Sequence, residues 1–395
     1  MIVVISIDGV CHEDVDFKIL PNLKALADQG VYTKRLRTVF PSVTWGIHTS
    51  VITGKIPGKH GIWGNEVYSH AKKTGFAHFD TSKVDINAVQ QPTIFEKAAA
   101  KGKILAAICW PLSQGSPHIK YNIPECYNQD DFDNYSTPEL KTELLANGME
   151  FGSYADWSID KKLGPLQDDL TCRITEYLIA HKQIDVLFTH FLIHDSYQHL
   201  YGINTTETVW SLKYADSLVG RILNSLMSAN LLEKSHIIIM SDHGHEAINK
   251  FFDITSFLKQ QGICENSFKY SNNSGTLFLY FKQDKVSEST FIDLCAALEK
   301  HEAVEFTCLK EHATKFGFNP QLNLDTFPDI IIGMNSGWVI NDMRGYKGAH
   351  GYFPETHPRM DSFMIRSGKS FLKGAKEELG DICDIFNIVE KLLDK

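Results

Sequence analysis

The sequence predicts an α/β fold with a mostly parallel central sheet, helices on both faces and a small α+β insertion. Three observations predict it. Short apolar runs alternate with helical patterns from the first residues onward. Each run is rich in β-branched residues and almost continuously hydrophobic, as strands covered on both faces must be. The alternation breaks once, between about residues 257 and 327, where two apolar runs flank a single helix.

The elements follow in order. "IVVISID" reads as a buried strand ended by Asp8-Gly9, and "PNLKALADQG" as a helix with Pro21 near its start and Gly30 as its stop. Thr44 to Thr53 is a second helix. "PTIFEKAAAKG" is a helix that leads into the strand "KILAAICW". Residues 111–165 are rich in Pro, Asn and Asp, and read as a loop-like stretch that wraps the surface near the site. Residues 167–182 are helical and precede the strand "IDVLFTHFL". "VWSLKYADSLVGRILNSLMSANLL" is a long amphipathic helix before the strand "SHIIIMSDHG". "TLFLYFKQ", the helix "STFIDLCAALEKH" and "AVEFTCL" make up the insertion. The main pattern resumes with "DIIIGM" and ends in a C-terminal helix. This divides the chain into a core of 1–256 and 328–395 and a cap-like insertion of 257–327.

The chain has 395 residues, 43% hydrophobic and 22% charged, which is enough material for a sizeable core. A formal net charge of −9 speaks against a nucleic-acid scaffold, which needs a basic footprint. It leaves room for a small phosphorylated substrate, because bound metal ions supply local positive charge. The eight cysteines contain no C-x-x-C pair, so a thiolate zinc site is not expected. "MIVVISIDGV" has no basic n-region and carries an acidic residue, which makes a poor signal peptide. No apolar run reaches membrane-spanning length. The expectation is a cytoplasmic protein without a membrane partner, and oligomeric state is not visible.

In parallel sheets, ligands bind beyond the carboxyl ends of the strands. Asp8 ends the first strand. Asp195 and His199 follow the strand ending near Phe191, and Asp242 and His243 follow another. His350 lies in a glycine-flanked loop. Asp195 and His199 are spaced i, i+4, so one helical turn would aim both at one ion. Asp and His are good ligands for zinc, and with adjustment for manganese or iron. Two such ions about 4 Å apart can grip a phosphoryl group and activate a nucleophile. Thr44 fits that role, because coordination would deprotonate its hydroxyl and a helix N-terminus favours an anion. Each feature also has a plainer reading. Asp8-Gly9 alone is a strand-ending turn, Ser42 or Thr44 alone an N-cap, and one histidine among seventeen nothing at all. It is the set that favours chemistry.

The set resembles the alkaline phosphatase superfamily, most of all the type I phosphodiesterase/nucleotide pyrophosphatase branch, with phosphonoacetate hydrolase close by. The similarity runs through residues 1–65, 183–250 and 345–366. The resemblance implies Asp8, Asp242, His243 and Thr44 as ligands of a first metal, from "SIDG", "SDHG" and "FPSVTWGIHTSVITG". "HDSYQHLYG" is similar to the family's "PDSxGHxYG" and gives Asp195 and His199 to a second metal, completed by His350 of "GAHGY". "HGIWGN" is similar to "HGIxxN" and supplies Asn65, a donor to a phosphoryl oxygen, with the Trp45 backbone N–H as the second donor. Two divalent ions are thereby implied, zinc first, with manganese or iron as alternatives.

The departures are informative. Gly46-Ile47 stands where the family commonly has Pro-Asn, and Trp45 replaces a phenylalanine that stacks on a nucleobase. "CWPLSQG" resembles the "WPG" segment of nucleotide-cleaving members. The lysines that phosphonoacetate hydrolases carry after this strand are missing between Ile104 and Ser116. "VTWGIH" lacks the C/S-x-P-x-R context of sulfatases. The implied reaction is hydrolysis of a phosphodiester or pyrophosphate through a phospho-threonine intermediate on Thr44. Trp45, Asn65, Trp110 and Tyr201 are candidates for binding substrate. Phosphonate hydrolase, phosphomonoesterase and phosphoryl-transfer mutase are alternatives within the same chemistry. A non-catalytic metal protein would need neither Thr44 nor Asn65.

Overall fold

Three apolar strands occupy the middle of the molecule because they have nowhere else to go. Every residue of Ile2–Ile7, Val186–Phe191 and His236–Met240 is buried. The computed structural model describes residues 1–77, 84–282 and 288–395. These three strands pair in parallel, with Ile2–Ile7 between the other two. Leu105–Ile108 and Tyr121–Ile123 extend the parallel run on one side. On the other side lie Ser362–Ser367, Gly30–Arg37 and Ala375–Asp381, completing an eight-stranded sheet in which only Ser362–Ser367 runs antiparallel to the rest.

Side chains of a strand alternate between faces, and Ile2–Ile7 shows what that does here. Val3, Ile5 and Ile7 enter a core with Leu23, Ile174, Leu178 and Leu218, built by the helices Pro21–Asp28, Gly164–His181 and Thr206–Ser228. Ile2 and Val4 enter a second core with Val51, Phe95 and Val389, from Thr44–Thr53, Ile94–Ala100 and Asp384–Leu393. Both faces are therefore covered. Local sequence sets the helix ends. Thr93 and Glu96 form a reciprocal capping box, and Gly54 closes Thr44–Thr53 at φ +65°, a conformation glycine adopts without cost.

A four-stranded antiparallel sheet lies beside the main one, in the order Phe268–Asn273, Thr276–Phe281, Ile330–Met334, Val304–Leu309. The "DIIIGM" strand pairs here, not in the main sheet as the sequence pattern suggests. A five-residue apolar run marks a buried strand, but nothing in its period says which sheet receives it. Gln283, the end of "TLFLYFKQ", lies outside the described residues. The 111–165 stretch also differs from its reading as a loop. It carries the short helices Gln129–Tyr135, Pro138–Ala146 and Tyr154–Ile159. Each is too short for its periodicity to stand out among the polar and proline residues around it.

Candidate active site

Because the three central strands are parallel neighbours, the turns at their carboxyl ends lie side by side. Gly9, at φ +80°, turns the chain directly after Asp8. A Cβ at that position would stand 2.8 Å from the Asp195 Cα, so only glycine lets the two turns touch. The Gly9 N–H donates to Asp242 Oδ1 at 3.2 Å, and the Val10 N–H to Ser241 Oγ at 2.8 Å. Asp195 and His199 sit on Ile193–Tyr201, a helix that starts two residues after its strand. Thr44 is the first residue of its helix and is buried at the same edge.

Asp8, Asp242 and His243 bring one ligand atom each to within 4.8 Å of the others. His243 Nε2 lies 3.5 Å from Asp8 Oδ1, 3.3 Å from Asp242 Oδ2 and 3.2 Å from Thr44 Oγ1. Asp8 Oδ1 and Asp242 Oδ2 are buried with no hydrogen-bond partner. Burial, with the carboxylates of Asp242 and Asp195 nearby, pushes the Asp8 carboxyl well above its ordinary range. Two orphaned carboxylate oxygens and an imidazole nitrogen, with a hydroxyl beside them, are a group that could hold a divalent cation.

The second group gathers around Asp195. Its Oδ1 lies 3.4 Å from His199 Nε2 and 3.8 Å from His350 Nε2. The Nδ1–H of His199 donates to the Gly348 carbonyl at 2.9 Å, and that of His350 to the Ser42 carbonyl at 3.0 Å. Both rings are thus held with Nε2 turned inward. Burial holds both well below the ordinary histidine pKa, in the neutral form that binds metals. His350 and His243 stack at 3.9 Å between ring centroids, which joins the two groups.

Asp8, Thr44, Asp195, His199 and His350 line a cavity of about 450 Å³, while Asp242 and His243 are fully buried and not part of its lining. Trp45 and Asn65 line it too. The two groups expected to donate to a phosphoryl oxygen are, however, bonded to each other. The Trp45 N–H donates to Asn65 Oδ1 at 3.0 Å, so of the two expected donors the backbone N–H is already bonded and the Asn65 NH₂ is not used in that bond. Asn273 Oδ1 accepts the backbone N–H groups of Asn65 and Glu66 at 2.7 and 3.0 Å. Among the described residues of 257–327, none lines the cavity. That region acts on the site from behind Asn65.

Trp110 and Tyr201 lie outside the cavity, against expectation. Trp110 is fully buried between His48 and Phe188, with each ring centroid 4.9 Å away. Its strand ends deeper in the core than its motif suggests. Tyr201 stacks on Tyr197 at 5.2 Å, one helical turn from the site. The outer wall comes instead from Glu125, Tyr127, Ser158, Ile159 and Lys161.

Sequence reasoning missed several residues of the site. His245 Nε2 lies 2.7 Å from Asp195 Oδ1. Its place two residues after His243 was the available signal. His48 binds the Thr44 carbonyl through Nδ1 at 2.8 Å, and burial lowers its pKa to about 3. His190 lies between Asp8 Oδ2 and Glu125 Oε2, 3.3 Å from each. Lys161 and Glu125 had no signal of their own.

Comparison with known proteins identifies the family and the fold. A family model for type I phosphodiesterase / nucleotide pyrophosphatase matches residues 2–353. Venom phosphodiesterase of Naja atra is 22% identical over 99% of this chain, and bis(5'-adenosyl)-triphosphatase enpp4 of Mus musculus is 23% identical over 99%. Ectonucleotide pyrophosphatase/phosphodiesterase family member 1 of Homo sapiens is 26% identical over 61%. The chain spans 44% of the venom protein, 23% of the human one and 77% of the mouse one. The structure of murine ectonucleotide pyrophosphatase / phosphodiesterase 5 superposes with a TM-score of 0.76 at 18% identity, covering 100% of this chain and 95% of the murine one. The fold is thus shared. No described helix is long and apolar enough to cross a membrane. On the match over residues 2–353, the chain belongs to the type I phosphodiesterase/nucleotide pyrophosphatase family, with the mostly parallel α/β architecture of the alkaline phosphatase superfamily.

Proposed function

We propose that the protein is a metal-dependent phosphodiesterase/nucleotide pyrophosphatase with Thr44 as its nucleophile. One observation carries the reading. Thr44 Oγ1 stands 3.2 Å from His243 Nε2, on a cavity wall shared with the orphaned carboxylate of Asp8 and with Asp195, His199 and His350. Asp8, Asp242, His243 and Thr44 would hold one divalent ion, and Asp195, His199 and His350 a second. Oxygen and imidazole donors suit zinc, with manganese or iron as alternatives. Such ions, when bound, supply Lewis acidity and neutralise charge on a phosphoryl group.

The chain's own residues do the rest. Thr44 Oγ1 attacks phosphorus in line. Its place in the first helical turn surrounds the attacked group with backbone N–H groups and the positive end of the helix dipole. The Asn65 NH₂ donates to a phosphoryl oxygen, and the Trp45 N–H fixes the plane of that amide. The bond from phosphorus to the leaving oxygen breaks as the bond to Thr44 Oγ1 forms, which leaves the rest of the substrate as a phosphate ester on Thr44; water then displaces Thr44 Oγ1, restores the hydroxyl and releases a phosphomonoester. Trp45 borders the cavity, but against expectation its indole is packed in the core with Val51 and Trp110 and is 1% exposed, so it is not a stacking wall for substrate. Similarity to proteins named for nucleotide and dinucleotide hydrolysis supports a nucleotide or other small phosphodiester as substrate. The test is the Thr44→Ala protein, assayed on bis-p-nitrophenyl phosphate after metal loading. Turnover at the wild-type rate would sink the reading. p-Nitrophenyl phosphate and phosphonates assayed alongside separate diesterase from monoesterase and phosphonatase.

A further inference from the structure

Lys161 is the only lysine or arginine that lines the cavity among the described residues. It belongs to the one-turn 3-10 helix Lys161–Leu163, held by Asp160, whose side chain accepts the Lys162 N–H at 3.0 Å. The Lys161 side chain keeps a quarter of its surface exposed, and its Nζ lies 3.6 Å from Asp195 Oδ2. That separation is beyond a good hydrogen bond. The ammonium is therefore near Asp195 but does not spend its donors on it. Thr44 stands with Asp8, Asp242 and His243. In an in-line displacement the leaving group departs opposite the nucleophile, toward the Asp195 group. Lys161 stands on that side, in a chain of net charge −9.

We propose that Lys161 is a specificity-determining residue that selects leaving groups carrying phosphate of their own, so that phosphoanhydrides are preferred over esters of uncharged alcohols. The inference rests on the phosphodiesterase/pyrophosphatase reading. With a nucleoside triphosphate, the bond from Thr44 Oγ1 to the α-phosphorus forms as the α–β bridging bond breaks. The electron pair leaves on pyrophosphate, and the ammonium of Lys161 donates to the pyrophosphate oxygens. Water then releases the nucleoside monophosphate. An alcohol or phenol offers Lys161 no phosphate oxygens, only the single oxygen that leaves.

The test uses two substrates that share one nucleotide, thymidine triphosphate and thymidine 5'-p-nitrophenyl phosphate. Lys161→Gln should lose about 10- to 100-fold in kcat/KM on the triphosphate, the scale of one charge-assisted hydrogen bond. It should change by less than about threefold on the nitrophenyl ester, with metal content unchanged. Lys161→Arg should recover most of the triphosphate activity. Equal losses on both substrates would make Lys161 a support for Asp195 and overturn the proposal, as would no loss on either. A wild-type protein that cleaves the ester but not the triphosphate overturns it too and leaves the hydrolase reading intact. Cleavage of neither removes the hydrolase reading itself.

Discussion

His245 Nε2 lies 2.7 Å from Asp195 Oδ1, and both side chains are buried. An imidazole N–H at this distance fixes the rotation of the carboxylate and so the aim of both its oxygens. His245→Ala should weaken metal retention by about 10- to 100-fold, the usual cost of losing a partner behind a ligand. Metal content after dialysis against a graded series of chelator concentrations measures this. Retention equal to wild type would show that His245 only fills space.

In the proposed reaction Asn65 acts on substrate and not on metal. Asn65→Ala should lower kcat by about 10²- to 10³-fold, the scale of one lost donor to developing charge. Bound metal should stay constant. A matching loss of metal would mean that Asn65 supports the site's structure instead.

Gly9 is the contact point of two turns. Gly9→Ala forces a Cβ to within 2.8 Å of the Asp195 Cα at φ +80°. Strain of this kind costs about 1–3 kcal/mol. The variant should melt earlier and retain less metal, because both the Asp8 and the Asp195 groups are displaced. Gly102→Ala, also at positive φ but with no atom within 4 Å, should cost stability alone.

His357 pairs with Glu246 and Glu305, each at 3.1 Å, and so ties the second sheet to the turn after His245. Burial lowers its pKa, but the two carboxylates outweigh burial and raise it from 6.5 to about 9. A raised folded-state pKa contributes stability that is complete below the unfolded value and is lost as pH climbs through the folded one. Melting temperature should therefore fall by a few degrees between pH 6.5 and about 9. In His357→Gln that step should vanish. An identical pH profile in the two proteins would refute the assignment.

The strands that the sequence shows plainly are those buried on both faces. Ile2–Ile7, Val186–Phe191 and His236–Met240 are continuous apolar runs with acidic residues just beyond them. Gly30–Arg37 and Ala375–Asp381 were not legible. Ala375–Asp381 is the edge strand and largely exposed, so it has no apolar face to repeat. Among site residues, Asp8, Asp242 and Asp195 could be read because each follows such a run. Glu125, Tyr127 and Lys161 could not, since the first two follow a three-residue strand and the third sits on a one-turn helix, elements too short to show a period in a polar stretch.

By itself, then, the sequence determined the alternation of elements and the chemical types waiting at the strand ends, because both are local patterns of burial and turn. Only the tertiary structure decided that Trp110 is core, that Tyr201 faces away, that "DIIIGM" joins the second sheet, and that His245 and Lys161 flank Asp195. Those outcomes depend on which strand lies beside which and how far each side chain reaches. Such relations link residues tens to hundreds of positions apart, and no local period records them.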